Sequence, residues 1–400
     1  MADILGTTAN DTILGTGSDD YIYGFAGDDT LLGGAGVDHL FGGQGNDILD
    51  AGPGYPAGFN TPPEALYGDV GNDTFRGGGG QDMYGGPGND VFYVNAVRSA
   101  AGDFDYIIPE DRVFEAMGDG TDTVYASVNW TNLAGQDIEF IEVDPSYSGG
   151  IYLAGNDNDE TVRGNGAANT LIGNGGSDRL YGFAGADTLD GGDGDDYLIG
   201  GTGADYMIGG AGSDTFYVDD NQDYLVEAVA PGDDRVATST SYALPNDADI
   251  ERFEAITLNA TVALDLVGNQ FGQTIVGNAG TNIIDGKGGN DELFGGAGAD
   301  QFRFSSALGA GNVDRILDLQ TGTDRIALDH SIFQRFNPGT LDPAFLRIGS
   351  LATDDNDFII YNSDTGALSY DPDGNGAAAA IQFAWLERGL NLTTADFGIY

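Results

Sequence analysis

The sequence predicts an all-β protein, a right-handed parallel β-roll or β-solenoid with β-rich segments between its runs of repeats. A glycine-rich phrase recurs every nine residues, and each phrase carries one aspartate followed two residues later by one large apolar residue. The three residues around that apolar side chain are too few for a helix but suit a short strand. One phrase cannot bury its apolar residue alone, so the phrases must stack.

The phrase is clearest in GGAGVDHLFGGQGNDILD, residues 33–50. Asp38 and Asp47 occupy the sixth position, and Leu40 and Leu49 occupy the eighth. The glycines permit tight turns with positive φ angles, in which carbonyl groups point into the turn. Two phrases therefore form one coil, and alternate aspartates line its opposite edges. Along one edge, successive aspartates should lie roughly 4.8 Å apart, the spacing of paired strands.

The phrases occur in four runs separated by segments of other composition. The predicted division is repeat run 1 (1–50), an irregular insert (51–67), repeat run 2 (68–93), β-rich spacer copy 1 (94–154), repeat run 3 (155–217), β-rich spacer copy 2 (218–267), repeat run 4 (268–303) and a C-terminal region (304–400).

Stacked carboxylates cannot all stay ionised unless a cation lies between them. Ca²⁺ suits them best, because it accepts six to eight hard oxygen ligands in a flexible cage, whereas Mg²⁺ requires a tight octahedron and Zn²⁺ prefers nitrogen and sulfur. Roughly ten to fifteen Ca²⁺ ions are expected if most of the registered aspartates take part. The candidate metal ligands are Asp11, Asp20, Asp29, Asp38, Asp47, Asp73, Asp82, Asp90, Asp178, Asp187, Asp196, Asp205, Asp214, Asp291 and Asp300, with Gly33, Gly36, Gly42, Gly45, Gly182, Gly185, Gly191, Gly194, Gly200 and Gly203 in the turns.

The first units of the last two runs depart from this rule. They carry Glu160, Asn169, Gln273 and Asn282 at the aspartate position, and their glycine content is lower. We interpret them as solenoid turns that bind no ion or bind one weakly.

The phrases resemble the repeats-in-toxin (RTX) nonapeptide G-G-x-G-x-D-x-U-x, a calcium-binding parallel β-helix repeat. The resemblance implies multiple Ca²⁺ ions as the cofactor. Acidic residues outnumber basic ones 64 to 14, for a net charge of -50. That charge excludes nucleic acid and anionic membrane surfaces as partners, because both attract basic proteins. No apolar run approaches the ~20 residues that span a bilayer.

The two spacers are copies of one another. VFEAMGDGTDTVYASVNW (113–130) aligns with LVEAVAPGDDRVATSTSY (225–242), and the alternation in both predicts strands that extend or cap the solenoid. Trp130, Phe140, Tyr242 and Phe253 are expected in its core. A carbohydrate-binding platform is the alternative role for these aromatic residues.

The glycine rhythm stops at Phe302. The last hundred residues resemble the C-terminal region of serralysin-type secreted proteins, including the terminal phrase 396–400. That resemblance implies export by type I secretion machinery, which fits an N-terminus lacking the basic start and apolar stretch of a Sec signal. Asp314 and Asp324 are further candidate ion ligands. Asp371 and Asp373 form either a calcium-braced turn or a plain Asp-Gly turn; an EF-hand is excluded, because its twelfth position is Gln382.

The sequence predicts that the protein is not an enzyme. HExxH and G-x-S-x-G are absent, there is no cysteine, and His39 and His330 are the only histidines. The predicted function is that of a secreted calcium-binding protein, extracellular or on the surface of a Gram-negative bacterium, that folds on Ca²⁺ binding after type I export. Its role would be structural, in a surface layer, in adhesion or in a biofilm matrix, with self-assembly or cell-surface polysaccharide as partners. The alternative is a secreted polysaccharide-acting enzyme or glycan-binding protein that uses the spacers.

Overall fold

The computed structural model describes residues 2–52, 64–95, 111–229 and 231–400. Over these ranges the chain consists of short β-strands joined by turns, and its helices are two single 3₁₀ turns, Pro343–Phe345 and Thr394–Asp396. Within the described part, no helix is long and apolar enough to cross a membrane. The chain forms two compact units, Met1–Tyr206 and Met207–Tyr400. The predicted all-β class is confirmed, whereas the eight-segment division remains a sequence-based proposal.

The strands of the first unit form three parallel sheets. Partners in the repeat runs are one coil apart, as where Tyr21 pairs with His39 and Thr30 with Ile48. The first sheet contains Ala2–Leu5, Asp20–Ala26, His39–Gln44, Ala65–Val70, Asp82–Tyr84 and Arg112–Phe114. The second contains Thr12–Leu14, Thr30–Leu32, Ile48–Asp50, Thr74–Arg76, Val91–Val94, Thr123–Ala126, Phe140–Val143, Thr161–Arg163, Arg179–Ala184 and Tyr197–Thr202. The third contains Trp130–Thr131, Tyr152–Ala154, Thr170–Gly175 and Thr188–Asp193.

The second unit stacks its strands in the same parallel way and adds antiparallel strands near its end. One sheet runs Thr215–Val218, Arg235–Thr238, Arg252–Ala255, Thr274–Val276, Glu292–Phe294, Asp314–Ile316 and Ile381–Trp385, then antiparallel through Ala367–Tyr370 to Ile359–Tyr361 and on to Leu346–Ile348. Another runs Tyr242–Ala243, Asp265–Val267, Ile283–Asp285, Gln301–Phe304, Arg325–Leu328 and Phe397–Ile399, with Gly339–Thr340 antiparallel to the last strand. Tyr206–Ala211 and Tyr224–Val226 are further strands.

The core is a set of columns formed by the eighth residue of each phrase. In the second sheet of the first unit, one side chain from each strand stacks on its neighbour, and those from Leu31 onward are fully buried. This column is Leu31, Leu49, Phe75, Phe92, Val124, Ile141, Val162, Leu180 and Leu198. Full burial of such a side chain contributes about 1.5–3 kcal/mol. Stacking thus removes from water the apolar residue that a single phrase would expose.

The described residues of the first spacer form coils of the same solenoid. Thr123–Ala126 pairs in parallel with Val91–Val94 on one side and with Phe140–Val143 on the other. Of the four aromatic residues expected in the core, Trp130, Tyr242 and Phe253 are buried. The expectation was wrong for Phe140, which is half-buried beneath the guanidinium of Arg163, because Ile141 takes the inward position of that strand.

We predict that Leu40→Ala lowers the free energy of unfolding of the calcium-loaded protein by about 2–5 kcal/mol. Leu40 is fully buried, and the truncated side chain would leave a cavity in its column. Leu14→Ala is the matched control, since Leu14 is 68% exposed and should change the value by less than about 0.5 kcal/mol. Denaturant unfolding followed by circular dichroism measures both, and equal losses would contradict the assigned register.

Candidate calcium sites along the coil edges

Two glycines of the phrase 42–50 show why the turns require glycine. A Cβ atom on Gly42 would lie 2.3 Å from Oδ2 of Asp47, so the carboxylate can fold against the backbone only when no side chain is present. Gly45 has a φ of 128°, a conformation that L side chains rarely adopt. The predicted glycines of the same two positions recur along the edges: Gly33, Gly182, Gly191 and Gly200 at the first, and Gly36, Gly185, Gly194 and Gly203 at the fourth.

In the carboxylates along the coil edges, one oxygen accepts a hydrogen bond from a backbone N–H of the preceding coil. The backbone N–H of Asp29 donates to Oδ1 of Asp47 at 2.8 Å, and that of Asp11 donates to Oδ1 of Asp29 at 2.7 Å. The same bond links Asp20 to Asp38, Asp47 to Asp73, Asp73 to Asp90, Glu160 to Asp178, Asn169 to Asp187, Asp178 to Asp196, Asp187 to Asp205, Gln273 to Asp291 and Asn282 to Asp300. These bonds place the carboxylates in one row along each edge.

The second oxygen of most of these carboxylates is buried and faces another acceptor. A Cβ atom on Gly24 would lie 2.4 Å from Oδ2 of Asp29 and 2.6 Å from the carbonyl oxygen of Gly42, so both oxygens border the same space. Opposed acceptors repel each other, whereas a cation between them is attracted to both. Carboxylate and carbonyl oxygens are the ligands that Ca²⁺ prefers. Among the described residues, Oδ2 has no hydrogen-bond donor in Asp29, Asp38, Asp47, Asp73, Asp90, Asp178, Asp187, Asp291 and Asp300.

Burial also makes the negative charge of these carboxylates costly. It raises the pKa of Asp73, Asp90 and Asp178 to about 7, and that of Asp38 and Asp47 to about 6. Neighbouring carboxylates raise several of these pKa values further, while the backbone N–H bonds lower them. A cation in the row would compensate both the desolvation and the repulsion.

In the units that carry asparagine at the aspartate position, a hydrogen-bond donor replaces the carboxylate oxygen that would face a carbonyl oxygen. Nδ2 of Asn282 donates to the carbonyl oxygens of Asn278 at 3.1 Å, Gly280 at 3.0 Å and Gly295 at 3.2 Å. Nδ2 of Asn169 likewise donates to the carbonyl of Ala167 at 2.6 Å. The amide nitrogen thus lies where an aspartate would place Oδ2. This geometry supports the interpretation of these turns as ion-free, which remains a prediction.

In two of the predicted metal ligands, Asp11 and Asp20, the second carboxylate oxygen accepts hydrogen bonds from a threonine. Oδ2 of Asp11 accepts hydrogen bonds from the backbone N–H of Thr7 at 2.6 Å and from its hydroxyl at 2.8 Å. Oδ2 of Asp20 accepts the same pair from Thr16 at 2.6 and 2.8 Å. Burial raises the pKa of Asp20, but these hydrogen bonds outweigh it and the net shift is downward. These two positions are therefore weaker candidates for Ca²⁺ than the positions with a donorless oxygen.

The register assigned to Asp82 requires correction. Its phrase is one residue short, and Met83 occupies the buried inward position. That placement puts Gln81 in the carboxylate row, where its amide donates to Oε2 of Glu64 at 2.8 Å. Asp82 instead forms a bidentate ion pair with Arg112 at 2.7 and 2.6 Å. Asp82 is thus not a member of the row.

Several acidic residues of the row lie outside the repeat runs and were not predicted as ligands. Asp122 precedes the inward Val124, and Glu139 precedes the inward Ile141, each by two residues. This spacing is the one signal in the sequence that could have identified them, because the glycines are missing. Row positions are also occupied by Glu64 and Asp111 in the first unit and by Asp234 and Glu251 in the second. Asp196, Asp205 and Asp214, which were predicted, are buried at row positions.

In the C-terminal region, Asp314 and Asp324 extend the row. They accept the N–H groups of Asp291 at 3.2 Å and Asp300 at 3.0 Å. The Asp371 loop is an Asx turn in which Oδ1 of Asp371 accepts the N–H of Asp373 at 3.2 Å. Both interpretations of that loop stay open.

We predict that Asp178→Asn stabilises the ion-free fold and removes one bound ion. An amide at this position would donate to the facing carbonyl, as in Asn282, and that bond should make the ion-free fold about 1–3 kcal/mol less unfavourable, so that circular dichroism in EGTA shows more strand signal than in wild type. At saturating Ca²⁺, dialysis and elemental analysis should count one ion fewer. Asp193→Asn, at an exposed position, is the control. An unchanged ion count would contradict the site.

The family described as the RTX calcium-binding nonapeptide repeat (4 copies) matches residues 5–40, 24–55, 65–84, 154–189, 163–198, 181–216, 190–225 and 267–302. A search of curated proteins gave no match. No matched range extends past residue 302, so the serralysin-like character of the C-terminal region stays a prediction. RTX nonapeptide repeats bind Ca²⁺ ions, and they indicate a secreted calcium-binding protein. With matching repeats in both units and buried carboxylates in register with them, the chain contains RTX calcium-binding nonapeptide repeats.

Proposed function

We propose that the protein leaves a Gram-negative bacterium through type I secretion machinery, folds around Ca²⁺ outside the cell, and has a structural role at the cell surface, in a surface layer, in adhesion or in a biofilm matrix. One observation carries this proposal: the rows of buried carboxylates whose free oxygens face carbonyl oxygens of the next coil. Such rows are unfavourable without cations and favourable with them.

The charge of the chain supports folding after export. With a net charge of -50 and little Ca²⁺, the chain repels itself and stays expanded, a form that can pass through an exporter. Where Ca²⁺ is abundant, ions that bind only the folded coils add their binding free energy to the free energy of folding. Calcium would thus determine where the protein folds.

The position of the terminal phrase supports the same order of events. Phe397–Ile399 pairs in parallel with Arg325–Leu328, and Asp396 is buried and accepts the N–H of Gly322 at 2.6 Å. A receptor could read this phrase only before the sheet forms. An export signal located here requires an unfolded chain.

The aromatic residues favour a structural role over glycan binding. On the first sheet, Tyr23, Phe41, Tyr67, Tyr84 and Phe114 stack in order with ring centroids 4.8, 5.0, 4.7 and 4.6 Å apart. The three inner rings are covered on both faces by their neighbours, so these rings stabilise the stack of strands and offer no face to a sugar.

Trp130, Tyr242 and Phe253 of the spacers are buried, so they are not a surface platform. The matched family is a calcium-binding repeat and not a catalytic family. That the protein is not an enzyme is part of the proposal.

We predict that EGTA-treated protein lacks most of its strand signal in circular dichroism and gains it cooperatively on titration with Ca²⁺. The ions remove the repulsion within the carboxylate rows. Mg²⁺ at the same ionic strength is the control and should not replace Ca²⁺, because it demands a tighter octahedron. A complete strand signal in EGTA would contradict folding coupled to ion binding.

We also predict that the calcium-loaded protein assembles or adheres to surfaces. Light scattering and electron microscopy with and without Ca²⁺ should show particles larger than the monomer, and imaging should locate the protein on the cell or in the matrix. A glycan array serves as the competing assay. A strict monomer that binds one defined glycan tightly would favour the alternative function.

A further inference from the structure

At each spacer, one aspartate of the preceding repeat run and two acidic residues that the nonapeptide pattern does not assign form a group of three. In the second copy the group is Asp214, Glu227 and Asp234. In the first copy it is Asp90, Glu115 and Asp122, of which Glu115 and Asp122 correspond to Glu227 and Asp234 in the spacer alignment. Neither glutamate, nor Asp122 or Asp234, lies in a range matched by the repeat family.

In the second copy the three carboxylates converge. One oxygen from each of Asp214, Glu227 and Asp234 lies within 4.8 Å of the other two, and all three residues are buried. Glu227 is only 3% exposed. Its Oε1 accepts the N–H of Ala228 at 2.9 Å, while its Oε2 is buried and has no hydrogen-bond partner within the described ranges. A carboxylate oxygen is therefore aimed, without a donor, into a group of other carboxylates.

In the first copy, Glu115 and Asp90 border one space, whereas the convergence of three carboxylate oxygens within 4.8 Å of one another is, among the described residues, a feature of the second copy. Glu115 is 4% exposed, and neither of its carboxylate oxygens has a hydrogen-bond partner in the part of the chain that the structure describes. A Cβ atom on Gly85 would lie 1.8 Å from Oε1 of Glu115 and 2.2 Å from Oδ2 of Asp90, so these oxygens border one space. Oδ1 of the adjoining Asp122 accepts the N–H of Asp90 at 2.7 Å.

The two glutamates stand where the repeats have glycine. Glu115 directly follows the strand Arg112–Phe114, and Glu227 directly follows Tyr224–Val226, as Gly42 follows the ninth residue of its phrase. The glycine of the facing coil leaves room for the added side chain: a Cβ atom on Gly209 would lie 2.1 Å from Oε2 of Glu227. The spacer thus adds a carboxylate to a space that ordinary coils line with one carboxylate and carbonyl oxygens.

We propose that each spacer binds one Ca²⁺ ion through three carboxylates, Asp90, Glu115 and Asp122 in the first copy and Asp214, Glu227 and Asp234 in the second. Three carboxylates offer six hard oxygens, and the affinity of a Ca²⁺ site rises with the number of charged ligands. These sites therefore bind Ca²⁺ more tightly than the repeat sites and fill first. The inference rests on the proposed function only in taking Ca²⁺ as the ion.

The pKa values agree with this geometry. Burial, followed by repulsion from the neighbouring aspartates, raises the pKa of Glu115 to about 9 and that of Glu227 to about 8. Without a cation, both effects favour the protonated form of these glutamates. The competing hypothesis is therefore a neutral glutamic acid that fills the space as the amide of Asn282 does.

The test counts ions in the full-length protein. Wild type, Glu115→Gln, Glu227→Gln and the double variant are dialysed against saturating Ca²⁺, bound Ca²⁺ per chain is measured by elemental analysis, and the Ca²⁺ midpoint for folding is measured by circular dichroism. We expect each substitution to remove one ion and the double variant to lack two, with a several-fold higher Ca²⁺ midpoint for folding. Glu142→Gln and Glu292→Gln, which remove a charge from a partly exposed ion pair in each unit and lie outside the carboxylate groups, should match the wild-type ion count.

Unchanged ion counts and unchanged Ca²⁺ midpoints for folding in the glutamine variants would overturn the proposal. They would favour the competing hypothesis, in which a neutral glutamic acid fills the space. If a glutamine variant lacks strand signal at saturating Ca²⁺, Glu227→Asp decides, because it keeps the charge and shortens the reach. We expect it to keep the wild-type ion count with a several-fold higher midpoint, and an unchanged midpoint overturns the proposal. Wild type that folds fully in EGTA and binds no Ca²⁺ would instead refute the proposed function itself.

Discussion

The fold depends on how each coil neutralises an oxygen acceptor that faces another acceptor. The carboxylate of Asp29 and the carbonyl of Gly42 border the same small space, and burial removes the water that would otherwise separate them. The chain has three ways to relieve this opposition: a cation, the amide of Asn169 or Asn282, and the threonine hydroxyl beside Asp11 or Asp20. Only the first depends on the surroundings of the protein. The proportion of coils that need a cation between their facing oxygen atoms therefore determines how strongly folding responds to calcium.

Much of this architecture could be predicted from the sequence because two constraints act on every phrase. The inward apolar residue must be buried, and the glycines must make the turns, so Leu40, Asp38 and Gly42 each have one consistent place. Where one constraint weakened, prediction failed. The short phrase around Met83 kept its inward residue but lost a turn residue, and the aspartate was then assigned one position too late.

The spacers were harder to interpret because they keep the acid and the inward residue but lose the glycines. Asp122 and Glu139 join the carboxylate row without the turn sequence that marks a repeat. Phe140 was expected in the core because aromatic residues are more often buried than exposed, although the inward position belongs to Ile141. In these segments the spacing between acid and apolar residue carries the register, and a large aromatic side chain does not. The described residues of the spacers therefore form coils of the same solenoid whose turns lack the glycines of the repeats.

The hydrogen bond from each coil to the next gives the stack a polarity. The N–H of Asp29 is satisfied by a carboxylate eighteen residues later, and the carbonyl beside its own Oδ2 also comes from the later coil. In these carboxylate contacts, the acceptor oxygen comes from the later coil. A repeat run interrupted on its C-terminal side therefore leaves the N–H groups of its last row residues without these carboxylates. Asp314 and Asp324, which accept the N–H groups of Asp291 and Asp300, therefore cap the C-terminal end of repeat run 4.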